Sequence, residues 1–294
     1  MVTALKPSST AVTVSSFAPW LAIALSLAVA AASLFSGNAI VDFLLGGSAG
    51  DDLATAIARR AVVYLFLFSP LYAFALIATF GWEQRIRRNS GVSLVSSLAT
   101  GGGIGLFAFA SSLLLVFIAG VVRPGTEAAG AKVLGIIFAG GLTTWQAGGE
   151  EWFFRGWLQP VLTRSWGTLP GIAAAAVAFT IPHAFLQMPS GLALLNTFLA
   201  GCVFGAIAFA TGRISSAIAA HAMWNWLEQS VAGLTPNPGV DSLSSVVDLD
   251  LAGPSLISGA QDGLTGSVAT TLVLAVSFAA LAAFVTRRIN SRDH

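Results

Sequence analysis

Three short stretches of this chain carry side chains that a hydrophobic sequence has little reason to hold. The first is Gly148-Gly149-Glu150-Glu151-Trp152-Phe153-Phe154-Arg155-Gly156-Trp157, two adjacent acids and an arginine inside an apolar run. An ionised side chain at a bilayer centre costs on the order of 3 kcal/mol on insertion scales, so such residues face a bundle interior or a wet cavity and mark function. On a helix Glu151 and Arg155 stand four apart and pair in the favourable order, acid before base. Glu150 projects from a different side and is left without that partner. A carboxylate in low dielectric is suited to take a proton from water near neutral pH. The competing reading puts all three at a helix end, with the arginine snorkelling to the interface.

Two further polar islands weigh against that reading. His183 ends Phe179-Thr180-Ile181-Pro182-His183, where Pro182 allows a kink that turns the imidazole toward a cavity. His221 and Asn225 stand four apart in His221-Ala222-Met223-Trp224-Asn225 and project from one helix face. The third histidine, His294, is terminal. A lone intramembrane histidine is commonly a satisfied core residue, but both internal histidines join an acid pair and an amide here. Glu150 with His183 can activate a water as general base, and His221 with Asn225 can donate hydrogen bonds to the oxyanion formed when water adds to an amide carbonyl. Glu151 with Arg155 would hold the helix that carries Glu150. No Ser or Cys nucleophile is needed.

The string Glu150-Glu151-x-x-x-Arg155, Phe179-x-x-x-His183 and His221-x-x-x-Asn225 resembles the CPBP family, which groups CAAX prenyl endopeptidases with bacteriocin-processing and immunity proteins. The similarity runs from about Lys132 to Trp226, a third of the chain. It implies an all-α bundle of about eight transmembrane helices with a buried polar catalytic cavity, acting as an intramembrane glutamate-type endopeptidase. It also implies that Glu150 and His183 activate water, that His221 and Asn225 stabilise the oxyanion, and that Glu151 and Arg155 support them. The implied substrate is a membrane-associated peptide or protein, with or without a lipid. No cofactor is expected. Zinc is the competing reading, since one Glu and two His are suitable ligands; the chain lacks His-Glu-x-x-His, and Arg155 brings positive charge close to any cation. A different class of function also stays open: a non-catalytic immunity or scaffolding protein, in which the polar cluster is an ion-pair network fixing helix packing. A transporter is the weakest reading, because the two halves show no inverted repeat.

These residues need a scaffold, and composition names it. Of the 294 residues 55% are hydrophobic and 9% charged, against roughly 25% charged in an ordinary soluble domain. The chain is a polytopic membrane protein by this measure, and its net charge of +1 leaves no basic surface for nucleic acid. Eight apolar runs approach the roughly 20 residues needed to cross a bilayer, at 17–36, 61–81, 101–122, 132–158, 168–188, 190–211, 214–232 and 267–286. With both termini cytoplasmic, the inner side receives Lys6, Arg85, Arg87, Arg88, Arg164, Arg213, Arg287, Arg288 and Arg292, and the outer side Arg59, Arg60, Arg123 and Lys132. That distribution favours this orientation, most simply in a cell membrane. The expected organisation is a tail at 1–16, N-terminal membrane helices at 17–131, a catalytic core at 132–231, an extracytoplasmic loop at 232–266 of largely irregular structure, and a last helix with a basic tail at 267–294.

The remaining features read as packing. Cys202, the single cysteine, lies in an apolar run. Gly101-Gly102-Gly103-Ile104-Gly105 lacks the Lys-Ser/Thr of a phosphate loop and signals close helix approach, as do Gly201, Gly205 and Ala208. Trp145, Trp152, Trp157, Trp166, Trp224 and Trp226 cluster around the motifs; Trp166 reads as interfacial, and Trp152 and Trp224 as nearer the cavity. Glu228, near the end of its span, reads as solvated rather than catalytic.

Overall fold

The computed structural model describes residues 18–45, 53–79, 91–125, 133–187, 189–234 and 245–291. They form an all-α bundle with one small two-stranded ribbon. The helices are α1 (Ala18–Leu45), α2 (Leu53–Thr79), α3 (Leu94–Ile118), α4 (Val133–Glu151), α5 (Gln159–Trp166), α6 (Thr168–Gln187), α7 (Gly191–Thr211), α8 (Ile214–Trp226), α9 (Ser255–Ser258) and α10 (Val268–Asn290). Serines start three of them: the side chains of Ser93, Ser190 and Ser267 accept the backbone N–H groups of Ser96, Ala193 and Thr270. Gly212, at φ +67°, ends α7 in the left-handed region and turns the chain tightly into α8.

Among the described residues six helical segments are long and apolar enough to cross a membrane, within α1, α2, α3, α6, α7 and the stretch ending in α10. The two other expected spans, 132–158 and 214–232, are α4 and α8, and these carry the first and third motifs. Neither is a long apolar helix, for a physical reason: α8 is packed between α3, α4 and α7, so protein rather than lipid solvates its polar groups. Close approach of α3 is what encloses it. A Cβ on Gly101 would run into the carbonyl oxygen of Ser216, and one on Gly105 into that of Ala220, which is the tight packing expected of this glycine run.

Both motif helices change winding next to their polar residues. After Glu151 the chain continues as a π-helix over Trp152–Leu158, with the Gln159 N–H donating to Phe154 O, and after Trp226 as a second over Leu227–Val231, with Ala232 N–H donating to Leu227 O at 2.8 Å. Such wide turns recur at functional sites, where they re-aim side chains along a helix.

The segment expected as an irregular loop is partly built structure. Residues 235–244 lie outside the described residues, but β2 (Leu249–Leu251) pairs antiparallel with β1 (Val122–Pro124), in the register Val122↔Leu251, Arg123↔Asp250 and Pro124↔Leu249. α9 and a 3-10 stretch, Ala260–Gly266, follow. Burial drives this: Leu264 and Val121 are buried in one apolar cluster with Leu227 and Leu234, and Leu249 and Leu251 pack against it. At the opposite end of the bundle Arg213 donates to Val92 O and Arg288 to Ala210 O. The expected tail at 1–16 and the cations Lys6, Arg85, Arg87, Arg88, Lys132 and Arg292 lie outside the described residues.

Candidate functional site

α4 brings the acids into the bundle because its glycines let α2 come close. A Cβ on Gly148 would meet the Tyr72 hydroxyl, and one on Gly149 would press on Phe68. Glu150, Glu151 and Arg155 are all buried, Glu151 completely. Glu151 Oε1 accepts from Arg155 Nη1 at 2.9 Å, the i, i+4 pair expected. Arg155 Nη2 also donates to Gly201 O at 3.0 Å, and its guanidinium lies 4.4 Å from the Phe179 ring centroid and 5.7 Å from that of Phe204. The cation is therefore neutralised at its edge and held between aromatic faces.

His221 reaches across from α8 to the same carboxylate, its Nδ1–H donating to Glu151 Oε1 at 2.9 Å. Its ring stacks on Phe204, with centroids 4.9 Å apart and 15° between planes. Its Nε2 stands 3.8 Å from Glu150 Oε2. The other Glu150 oxygen accepts from Gln146 Nε2 at 3.4 Å, and Oε2 has no hydrogen-bond partner among the described residues. Glu150 is thus less free than its position in the sequence implies, since it is the fourth member of a cluster with Arg155, Glu151 and His221.

His183, on α6, sits 2.9 Å through Nδ1 from Phe179 O. A carbonyl only accepts, so Nδ1 carries the proton and the neutral ring keeps its lone pair on Nε2. His183, His221 and Asn225 line one cavity of about 70 Å³, together with Phe179, Phe204 and Trp224. Glu150 is not on that wall and stands behind His221; it is within electrostatic reach of His183, but no hydrogen bond joins the two among the described residues. The six expected residues therefore form one ion cluster and one cavity wall, joined at His221.

Several other expectations need correction. Glu228 is buried rather than solvated: Trp224 Nε1 donates to its Oε2 at 3.1 Å and Thr265 Oγ1 to its Oε1 at 3.5 Å, because the 3-10 stretch folds back over the end of α8. Trp224 does line the cavity, whereas Trp152 packs edge-on against Tyr72 of α2. Trp166 packs on Trp20 with centroids 5.0 Å apart. Gly201 and Gly205 make room both for α6, at Ala176 and Ile172, and for side chains: beside Arg155 on Gly201 O, Gln159 Nε2 donates to Gly205 O at 3.0 Å. The matching four-residue spacings of Arg155 with Gln159 and of Gly201 with Gly205 are the signal that would have found Gln159. Among the described residues no group of three or more His, Cys, Asp or Glu side chains is arranged to hold a metal ion.

Residues 130–227, which contain all six motif positions, match the family model described as type II CAAX prenyl endopeptidase, Rce1-like. No curated protein and no solved structure matches the chain.

Proposed function

We propose that this chain, whose residues 130–227 form an Rce1-like domain of the CPBP/CAAX protease family, hydrolyses a peptide bond in a membrane-associated substrate by direct attack of water. One observation carries the reading. Two motifs far apart in sequence bring His183 and the His221–Asn225 pair to the wall of one cavity, and the third sets its two carboxylates beside His221.

Each group has a role that its hydrogen bonds suit. His183 holds its Nδ1 proton on Phe179 O, so Nε2 is the atom that takes a proton from water, with the Glu150 carboxylate within electrostatic reach of the ring. The hydroxide equivalent attacks the carbonyl carbon. The oxyanion then receives hydrogen bonds from the Asn225 amide and from His221 Nε2–H. With Nδ1–H already given to Glu151, His221 presents Nε2–H as well only when it is an imidazolium. In that state Glu150, Glu151, Arg155 and His221 sum to zero charge, as buried ions must nearly do. Collapse of the intermediate breaks the C–N bond, and His183 returns its proton to the leaving amine. This chemistry uses no metal. We assign the end of the bundle carrying Arg213 and Arg288 to the cytoplasm, the side that collects arginines in membrane proteins.

The test is cleavage of a panel of fluorogenic peptides, prenylated and unprenylated, by purified protein in detergent. His183→Ala should lower kcat by roughly 10²–10⁴-fold, the range for general acid–base groups, and Glu150→Gln should lower it as well, by unbalancing the buried charge beside His221. Chelator should leave the wild-type rate unchanged. Full activity in both variants would overturn the mechanism; chelator inhibition reversed by zinc would replace it with a metal-dependent one. A wild-type protein inert toward every peptide would favour an immunity or scaffolding role.

A further inference from the structure

The cavity has a polar end that the water-attack chemistry leaves unused. Asn196, on the first turns of α7, is 1% exposed and lines the cavity with Thr265 and Thr270. Its Nδ2 donates to two backbone carbonyls, Thr265 O at 2.7 Å and Ser267 O at 2.9 Å. Both partners are pure acceptors, which fixes the orientation of the amide: nitrogen toward the 3-10 stretch, oxygen away from it. That Oδ1 is buried and has no hydrogen-bond partner among the described residues. A buried unsatisfied carbonyl oxygen is costly and calls for an explanation.

We infer that Asn196 is a substrate-binding residue, its Oδ1 accepting a backbone N–H of the bound peptide. The inference rests on the endopeptidase reading and extends it from the bond that breaks to the segment that is gripped. Asn196, Ala200, Val203 and Phe204 line the cavity from successive turns of α7, and Phe204 is the ring on which His221 stacks. Eight residues of helix separate Asn196 from Phe204, about 12 Å along the axis. An extended peptide covers that in three to four residues at roughly 3.3 Å each. The N–H that Asn196 accepts therefore belongs to the third or fourth residue from the scissile bond. The carbonyl acceptors that aim the amide belong to Thr265 and Ser267, beyond the family-matched segment, so the C-terminal part of the chain sets how substrate is held.

Ester analogues isolate this contact, because replacing one backbone N–H by O deletes a single donor. The probe is a fluorescein-labelled octapeptide whose fourth residue from the C-terminus is a farnesylated cysteine, with a set of single-ester analogues. Binding by fluorescence polarisation is the readout, in full-length Glu150→Gln protein with and without Asn196→Ala. The ester at the third or fourth residue from the scissile bond should weaken binding roughly three- to tenfold when Asn196 is present, and have no effect in the Asn196→Ala protein. Equal penalties in both proteins, no position-specific penalty, or no binding of the parent probe would overturn the inference. Should Asn196→Ala fail to fold, the ester scan on the protein with Asn196 intact decides by the same position criterion. Binding does not require turnover, so a wild-type protein that binds the probe but never cleaves it sinks the endopeptidase reading alone.

Discussion

His221 donates Nδ1–H to the same Glu151 oxygen that holds Arg155, each bond being 2.9 Å long. One buried carboxylate oxygen thus ties α8 to α4 and fixes which edge of the imidazole faces the cavity. Glu151 is more than a partner for arginine: it aims a residue that stands at the cavity wall, in the way that a carboxylate behind a histidine sets its tautomer and orientation.

Removing that joint from one side should be worse than removing it from both. Glu151→Leu leaves Arg155, 2% exposed, with a backbone carbonyl and two aromatic faces but no counter-charge, a loss of about 3–5 kcal/mol for a broken buried pair. The double variant Glu151→Leu/Arg155→Met should recover much of the thermal midpoint while remaining inactive, because His221 has lost its anchor. Cys202 supplies the readout: it is the single cysteine and fully buried, so a thiol-reactive fluorophore reports unfolding directly. Recovery of activity along with stability would reduce Glu151 to a purely structural residue.

The glycine run of α3 predicts a contrast within three residues. Gly101→Ala should destabilise by about 1–3 kcal/mol, the cost of overpacking, since the obstacle is the backbone of Ser216 and cannot swing aside. Gly103 has open space where its Cβ would stand, so Gly103→Ala should be neutral or stabilising by up to about 1 kcal/mol through helix propensity. The same thiol assay ranks the two. Similar midpoints for both would mean that α3 does not lie against α8 as closely as described.

Sequence and structure part company in an instructive way. Ionisable residues in apolar runs are costly, and that cost made Glu150, Glu151, Arg155, His183 and His221 legible without coordinates. Local spacing likewise revealed the Glu151–Arg155 pair and the close packing of Gly101 and Gly105. The Glu151–His221 bond was not legible, because it joins helices distant in sequence. Gln159 and Asn196 are uncharged amides, too cheap in a helix to stand out, and only the carbonyls they bond show their purpose. Glu228 looked solvated from its place near a helix end; nothing local announces that Thr265 will fold back over it. The ribbon of β1 and β2 was missed for the same reason, as two three-residue strands far apart in the chain have no periodicity to read.

Glu228 holds Trp224 in the cavity wall, and its substitution should separate hydrogen bonding from chemistry. Glu228→Gln keeps an acceptor for Trp224 Nε1 and should stay within about threefold of wild-type kcat/KM, the effect of exchanging one modest hydrogen bond for another. Glu228→Leu leaves the indole N–H buried without a partner, costing about 1–3 kcal/mol, and should raise KM more than it lowers kcat. Steady-state kinetics on the fastest panel peptide distinguishes them. Loss of turnover in Glu228→Gln would instead bring this carboxylate into the proton transfers.

Asn225 shares the cavity wall with His221, and its amide is proposed to act only after water has added. A donor that meets the oxyanion but not the ground-state carbonyl stabilises the transition state alone, so its loss falls on kcat and spares KM. Asn225→Ala should lower kcat by about 10²–10³-fold, as removal of one oxyanion donor does elsewhere, with KM nearly unchanged. His221→Ala should lower kcat further and also the thermal midpoint, since it strips Glu151 of a partner and Phe204 of its stacked ring. Combining the two should cost less than the product of the single effects, because both donors serve one oxyanion. A rise in KM at constant kcat in Asn225→Ala would move that residue from the oxyanion to substrate binding, leaving His221 as the sole donor in the proposed mechanism.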